Sequence, residues 1–283
     1  MADFDPRLTP ARPDLAAKHL EGKVAAARFV EGTPYEILDP LAPVRHAPVF
    51  DAPLTTEALM GERVTIYEIT DEGWAWGQLE NDDYVGWLPA SALASPGVTR
   101  THKVRALRTL AFMGPSIKLP PLNGLPLGAR LGVERVEGSL ALTSAGYVPV
   151  AHLVPVAFKE TDFVAVATRF LHSPYLWGGK TSLGIDCSGL VQVALNACGI
   201  RCPRDSDMQE AVLGAPVMGL ADIRRGDLIF CKGHVAIARD EVTLIHANAH
   251  HMAVTIEPIT DAVSRIREAG GEVTGVKRIS SSS

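Results

Sequence analysis

The hydrophobic pattern of this 283-residue chain changes character near residue 156. Before that point, short runs alternate faces at period two, as through Val64, Ile66 and Glu68. Turn clusters at Asp71-Glu72-Gly73 and Asn81-Asp82-Asp83 interrupt them, which predicts small β-structures. After it, helical spacing takes over. Asp162 to His172 is predicted as one helix. Cys187 to Cys198 is a second, with Leu190, Val191, Ala194, Leu195 and Cys198 on its buried stripe and Gly199 as its stop. A polar helix is expected near Asp205 to Leu213. Strand-like runs follow at Asp227–Cys231, His234–Arg239, Val242–Ala247 and Ala253–Pro258. Helices first and an antiparallel sheet afterwards define an α+β domain.

The period-two half contains a repeat. Gly86-Trp87-Leu88-Pro89 and Gly146-Tyr147-Val148-Pro149 each lead to a leucine, Leu93 and Leu153. Upstream, the run Leu59 to Val64 matches Pro126 to Leu131. Two copies of a small barrel account for this. The resulting division is an N-terminal extension at 1–32, barrels at 33–96 and 97–156, and the α+β domain at 157–283. Within the extension, Asp14 is positioned to cap a helix carrying Leu15, Leu20, Val24 and Phe29.

Composition narrows the function classes. A net charge of −5 provides no pull toward nucleic acid or anionic lipid. Gly138 to Phe158 lacks charged residues over a span-length stretch, but its prolines, glycine and hydroxyl residues read as strands and turns. Asp3, Asp5, Arg7, Arg12, Asp14 and Lys18 interrupt every apolar run near the start, so no export signal is read and a cytoplasmic setting is expected. In that setting Cys187, Cys198, Cys202 and Cys231 are expected as thiols, and without a repeated CxxC spacing they make a poor zinc site.

One of these cysteines sits where chemistry is favoured. In Asp186-Cys187-Ser188-Gly189 the thiol opens a helix, where unpaired N–H groups and the dipole lower a thiol pKa and can hold an oxyanion. His234 and His246 lie on consecutive strands, so one imidazole can take the thiol proton while the other orients it. His250 and His251 read as loop residues, with a weak metal site as the alternative.

Tyr175 to Val191 (YLWGGKTSLGIDCSGLV), Pro203 to Gln209, Gly226 to Ala238 and Leu244 to Asn248 resemble, in order, the NlpC family of papain-like bacterial cell-wall peptidases. The Gly-[Trp/Tyr]-[Leu/Val]-Pro endings and the Gly73-Trp74 strand resemble bacterial SH3-like barrels. The resemblance implies Cys187 as nucleophile, His234 as base and His246 as its orienting partner. The combined architecture resembles cytoplasmic γ-D-glutamyl-L-diamino acid endopeptidases that recycle murein peptides. It implies a small peptide substrate, L-Ala-γ-D-Glu-diamino acid with a free amine, and no cofactor, metal, nucleic-acid or membrane partner. By the same similarity Tyr175, Trp177, Asp186, Ser188 and Ser206 line the cleft, and Tyr84, in Asp83-Tyr84, serves the amine subsite. Plainer roles stand beside these: core packing for Tyr175 and Trp177, helix capping for Asp186, a helix-start residue in Ser188, a barrel hairpin for Tyr84. The wider alternatives are a broader amidase or acyltransferase, and an inert wall-binding adaptor.

Overall fold

The computed structural model describes residues 4–97 and 99–279. The chain divides between Phe158 and Lys159 into two compact units. Among the described residues, no helix is long and apolar enough to cross a membrane.

The N-terminal unit is built of strands. Its first sheet has seven, ordered Leu54–Leu59, Leu41–Arg45, Val85–Pro89, Trp74–Leu79, Arg63–Ile69, Thr33–Ile37 and Leu93–Ala94. Ile37, Val44, Ala58, Val64, Leu79, Tyr84 and Leu88 form its core. A second set of strands between His102 and Pro155 encloses Val104, Ala111, Leu125, Leu131 and Val148. The repeat has a structural counterpart. The strands Val85–Pro89 and Gly146–Pro149 each run into a single 3₁₀ turn, Ala90–Ala92 and Val150–His152, and then a short strand.

The expected helix at Leu15–Phe29 does not form. Its place is taken by a 3₁₀ turn at Lys18–Leu20 and a short parallel pair, Ala16–Ala17 with Phe29–Val30. Tertiary contacts override the helical spacing. Leu15, Ala16 and Ala17 are buried consecutively, and Leu15 packs on Trp74, Trp76 and Trp87. Asp14 pairs with Arg12 instead of capping, and Arg12 also meets Glu68 and lies over the Trp76 and Trp87 rings.

Among the described residues, the C-terminal unit combines four α-helices with an antiparallel sheet. Helix α1 is Phe163–Thr168, capped by Asp162, whose carboxylate accepts from the Val164 and Ala165 N–H groups. It stops before the expected His172: the Arg169, Phe170 and Leu171 N–H groups donate three residues back, which tightens the chain into turns, and His172 leaves the helical region at φ 70°. Helix α2, Cys187–Ala197, is buried on every side from Cys187 to Leu195, not only along its apolar stripe. Helix α3 is Ser206–Val212.

The sheet strands are β1 (Ala215–Pro216), β2 (Asp227–Cys231), β3 (His234–Ala238), β4 (Thr243–Asn248), β5 (Ala253–Pro258) and β6 (Val273–Arg278), in the order β1-β6-β2-β3-β4-β5. Two elements at the C-terminal end were not anticipated. Helix α4, Ile259–Glu268, and strand β6 extend the domain, and β6 pairs with β2. The helical signal was present in Ile259, Ala262 and Val263, all buried, with Asp261 in the first turn and Arg265 and Arg267 in the last.

Candidate active site

Helix α2 starts where a loop and a buried ion pair converge. Asp186 caps it, with Oδ1 accepting from Gly189 N–H at 2.7 Å. The same oxygen accepts from Ser188 Oγ at 3.2 Å and Arg204 Nη1 at 3.0 Å. Oδ2 accepts from Gly178 N–H at 2.8 Å and Arg204 Nη2 at 2.7 Å. Arg204 is 0% exposed, and its Nη1 also donates to Ser188 Oγ at 2.9 Å. The loop and helix approach closely enough to require glycine at 189. A Cβ there would stand 2.4 Å from the Gly179 carbonyl oxygen.

This arrangement holds Cys187 rigidly at the helix start, buried, with its sulfur within hydrogen-bonding reach of the Ser188 and Val235 amides. The expected lowering of its pKa is overridden. Burial, aided by the Asp186 charge, pushes the thiol up to about 12, although both amides and Arg204 act in the opposite direction. Val235 follows His234 at the start of β3, so the strand that supplies the imidazole also touches the sulfur.

The two histidines meet as the strand order requires. His234 Nε2 lies 2.8 Å from His246 Nδ1, with the rings nearly perpendicular. Burial, the neighbouring His246 and Arg265 push His234 down to about 3, with Glu257 opposing, and burial lowers His246 as well. Desolvation therefore favours a neutral thiol beside neutral imidazoles in the resting site. A residue not identified from sequence stands behind them: Glu257 Oε1 is 2.7 Å from His246 Nε2. Its signal was its position on β5, next to the strand that carries His246.

The other expected cleft residues divide by environment. Tyr175 is half-buried, and its hydroxyl is pushed up to about 12, chiefly by burial. Trp177 is 67% exposed, so it does not pack in the core. Ser206 begins α3 and is partly exposed. Asp186 and Ser188 are buried with their polar atoms engaged by the network just described. Tyr84 belongs to the N-terminal unit, where it is 5% exposed within the first sheet's core and donates its N–H to Asp82 Oδ1. His250 and His251 stack edge to face, with His251 held by Asn248. Among the described residues, no group of three or more His, Cys, Asp or Glu side chains has a metal-holding arrangement.

A buried thiol at a helix start, facing a sheet that carries paired histidines in an α+β frame, is the architecture of a papain-like cysteine peptidase, a hydrolase. Comparison with known proteins gives the same class. The NlpC/P60 family profile matches residues 172–268, and that of the bacterial dipeptidyl-peptidase SH3 domain matches residues 44–93. The chain is 30% identical over 241 residues to a γ-D-glutamyl-L-lysine dipeptidyl-peptidase of Bacillus subtilis, covering 75% of this chain and 78% of that protein. A Bacillus cereus protein of the same name is 26% identical over 248 residues, covering 73% and 71%. The crystal structure of an NlpC/P60 family protein from Bacillus cereus superposes with a TM-score of 0.73 at 21% identity, covering 87% of this chain and 99% of that one. The chain belongs to the NlpC/P60 family, and its N-terminal region carries an SH3-like domain.

Proposed function

We propose that this peptidase hydrolyses the γ-D-glutamyl–diamino acid bond of cell-wall peptides with a free N-terminal L-Ala, releasing L-Ala-γ-D-Glu for murein peptide recycling. Segments 33–96 and 97–156 serve as the two barrels and 157–283 as the peptidase domain. One observation carries the reading: Cys187 sits at the start of α2 against the strand that bears His234, itself bonded to His246. The relatives named γ-D-glutamyl-L-lysine dipeptidyl-peptidases support the substrate class.

In this reading Cys187 Sγ forms a bond to the γ-carbonyl carbon as its proton passes to His234. Neutral partners are suited to a proton transfer that accompanies attack. N–H groups at the start of α2 receive the oxyanion. The C–N bond then breaks, and His234 returns the proton to the departing amine. Water, deprotonated by His234, hydrolyses the thioester, releasing the dipeptide carboxylate and restoring the thiol. Tyr175, Trp177, Ser188 and Ser206 shape the cleft. Asp186 contributes its charge to the amine subsite. We place the reaction in the cytoplasm, where a thiol nucleophile stays reduced.

The test is mass spectrometry of purified protein incubated with L-Ala-γ-D-Glu-diaminopimelate, its lysine counterpart, and the N-acetylated form of each. Release of L-Ala-γ-D-Glu by wild type and not by Cys187→Ala is expected. At least about a hundredfold preference for the free amine should accompany it, since acetylation removes the ammonium charge and adds bulk at the amine subsite. Equal cleavage of the acetylated peptides would overturn the amine subsite. Acyl transfer to an added amine in place of hydrolysis would overturn the hydrolytic assignment.

A further inference from the structure

The sheet carries a row of polar side chains that extends beyond the two histidines. The β3–β4 register pairs Ile237 with Ile245, which, continued one step, sets His246 opposite Ala236, two residues from His234 on the same face. The β4–β5 register pairs His246 with Thr255, and Glu257 lies two residues further along that face. Each neighbour in the row is thus a diagonal one, within reach of long side chains. The row ends on helix α4, where Arg265 grips both Glu257 oxygens, Nη2 to Oε1 at 2.5 Å and Nη1 to Oε2 at 2.7 Å.

The direction of the hydrogen bonds in this row follows from its far end. A carboxylate only accepts, so the 2.7 Å contact with Glu257 places a proton on His246 Nε2. A neutral His246 then has a lone pair on Nδ1, which accepts from His234 Nε2–H across 2.8 Å. That leaves Nδ1 of His234 as its basic nitrogen. His246 is 2% exposed, so water has little access with which to satisfy the opposite tautomer.

We propose that Glu257, clamped by Arg265, is a positioning residue that fixes the tautomers of His246 and His234 and so holds His234 as a base through Nδ1. Burial works against the Glu257 charge, but the hydrogen bonds from His246 and Arg265 prevail and hold the carboxyl well below its usual range. The inference rests on the proposed roles of Cys187 and His234, and is independent of which diamino acid the substrate carries. Glu257→Gln tests it most directly. Arg265 retains the amide oxygen as its acceptor, which turns the NH₂ toward His246 Nε2. Nε2 must then accept, and the whole row reverses.

Two measurements decide the matter. The first is ¹⁵N-edited NMR of wild type with labelled histidine near neutral pH. His246 and His234 should both be neutral and protonated at Nε2, and protonation of either at Nδ1 would overturn the proposal even if no variant folds. The second is steady-state kinetics of Glu257→Gln on a substrate that wild type cleaves. A kcat loss of about 100-fold with little change in KM is expected, at the low end of acid–base effects because Glu257 acts through His246, together with inverted histidine ¹⁵N shifts. A folded variant with wild-type kcat and unchanged shifts would refute the role of Glu257 while leaving the peptidase reading intact. Inactivity of wild type itself would instead count against that reading.

Discussion

Replacing Arg204 by methionine should loosen the start of α2 more than any comparable change on the surface of the domain. The guanidinium is fully buried and donates to both Asp186 oxygens, to Ser188 Oγ and to the Gly179 carbonyl. Methionine preserves most of the apolar stem but leaves Asp186 without its cationic partner. Removing one member of a buried pair costs about 3–5 kcal/mol, because the remaining charge has lost its compensation. Asp186 still accepts from Gly178, Gly189 and Ser188, so the lower half of that range is expected. Hydrogen exchange of α2 peptides resolved by mass reads this locally. Opening should become roughly a hundred- to a thousandfold more frequent, at about 1.4 kcal/mol per decade. A cycle with Asp186→Asn separates pairing from packing, since the double variant should be less damaged than the sum of the singles by about 2 kcal/mol. A coupling within about 0.5 kcal/mol of zero would refute the claim that this pair secures the helix start. If Arg204→Met does not fold, Arg204→Lys retains the charge without the bidentate geometry, and the same cycle can be run on it.

Three further outcomes follow from the same geometry. Alkylation of Cys187 by iodoacetamide in the resting enzyme should accelerate steadily from pH 7 to 9, because burial pushes the thiol up to about 12; a rate independent of pH between 5 and 8 would reveal a preformed thiolate–imidazolium pair. Burial lowers the folded pKa of His234 to about 3, so its contribution to stability is present above the unfolded value of about 6.5 and is lost as pH falls toward 3, where the unfolded chain takes up a proton that the folded chain excludes. Urea midpoints at pH 7 and pH 5 should therefore converge in His234→Phe relative to wild type, and an unchanged difference would count against a buried neutral imidazole. Gly189→Ala sets a methyl 2.4 Å from the Gly179 carbonyl and 2.9 Å from Asp186 Oδ1, so thermal unfolding followed by circular dichroism should show a loss of about 1–3 kcal/mol, and an unaltered melting curve would show that the loop can retreat freely.

Much of the site was legible in order along the chain, because its determinants are local. A helix start is encoded by Asp186 and the residues just after it, and strands with a two-residue period expose which histidines can share a face. The barrel repeat was visible for the same reason, since a strand ending in Gly-[Trp/Tyr]-[Leu/Val]-Pro is a contiguous signal. The failures were of another kind. Leu15 to Phe29 has helical spacing, yet three tryptophans from two paired strands far along the chain pack on Leu15, with Ala16 and Ala17 buried next to it, and burial outweighs a weak propensity.

Only the tertiary structure decided the charge state of the site and what stands behind it. The thiol's position at a helix start argues for a low pKa, but the side chains that seal α2 on every side remove the water that would stabilise a thiolate, and desolvation is a property of the packed fold. Arg204 lies eighteen residues from Asp186 in the chain, and it becomes that residue's partner only when the segment before α3 folds against the start of α2. Glu257 likewise gains meaning from strand register: a shift of one residue between β4 and β5 would turn it to the opposite face, and no periodicity within β5 alone specifies that pairing.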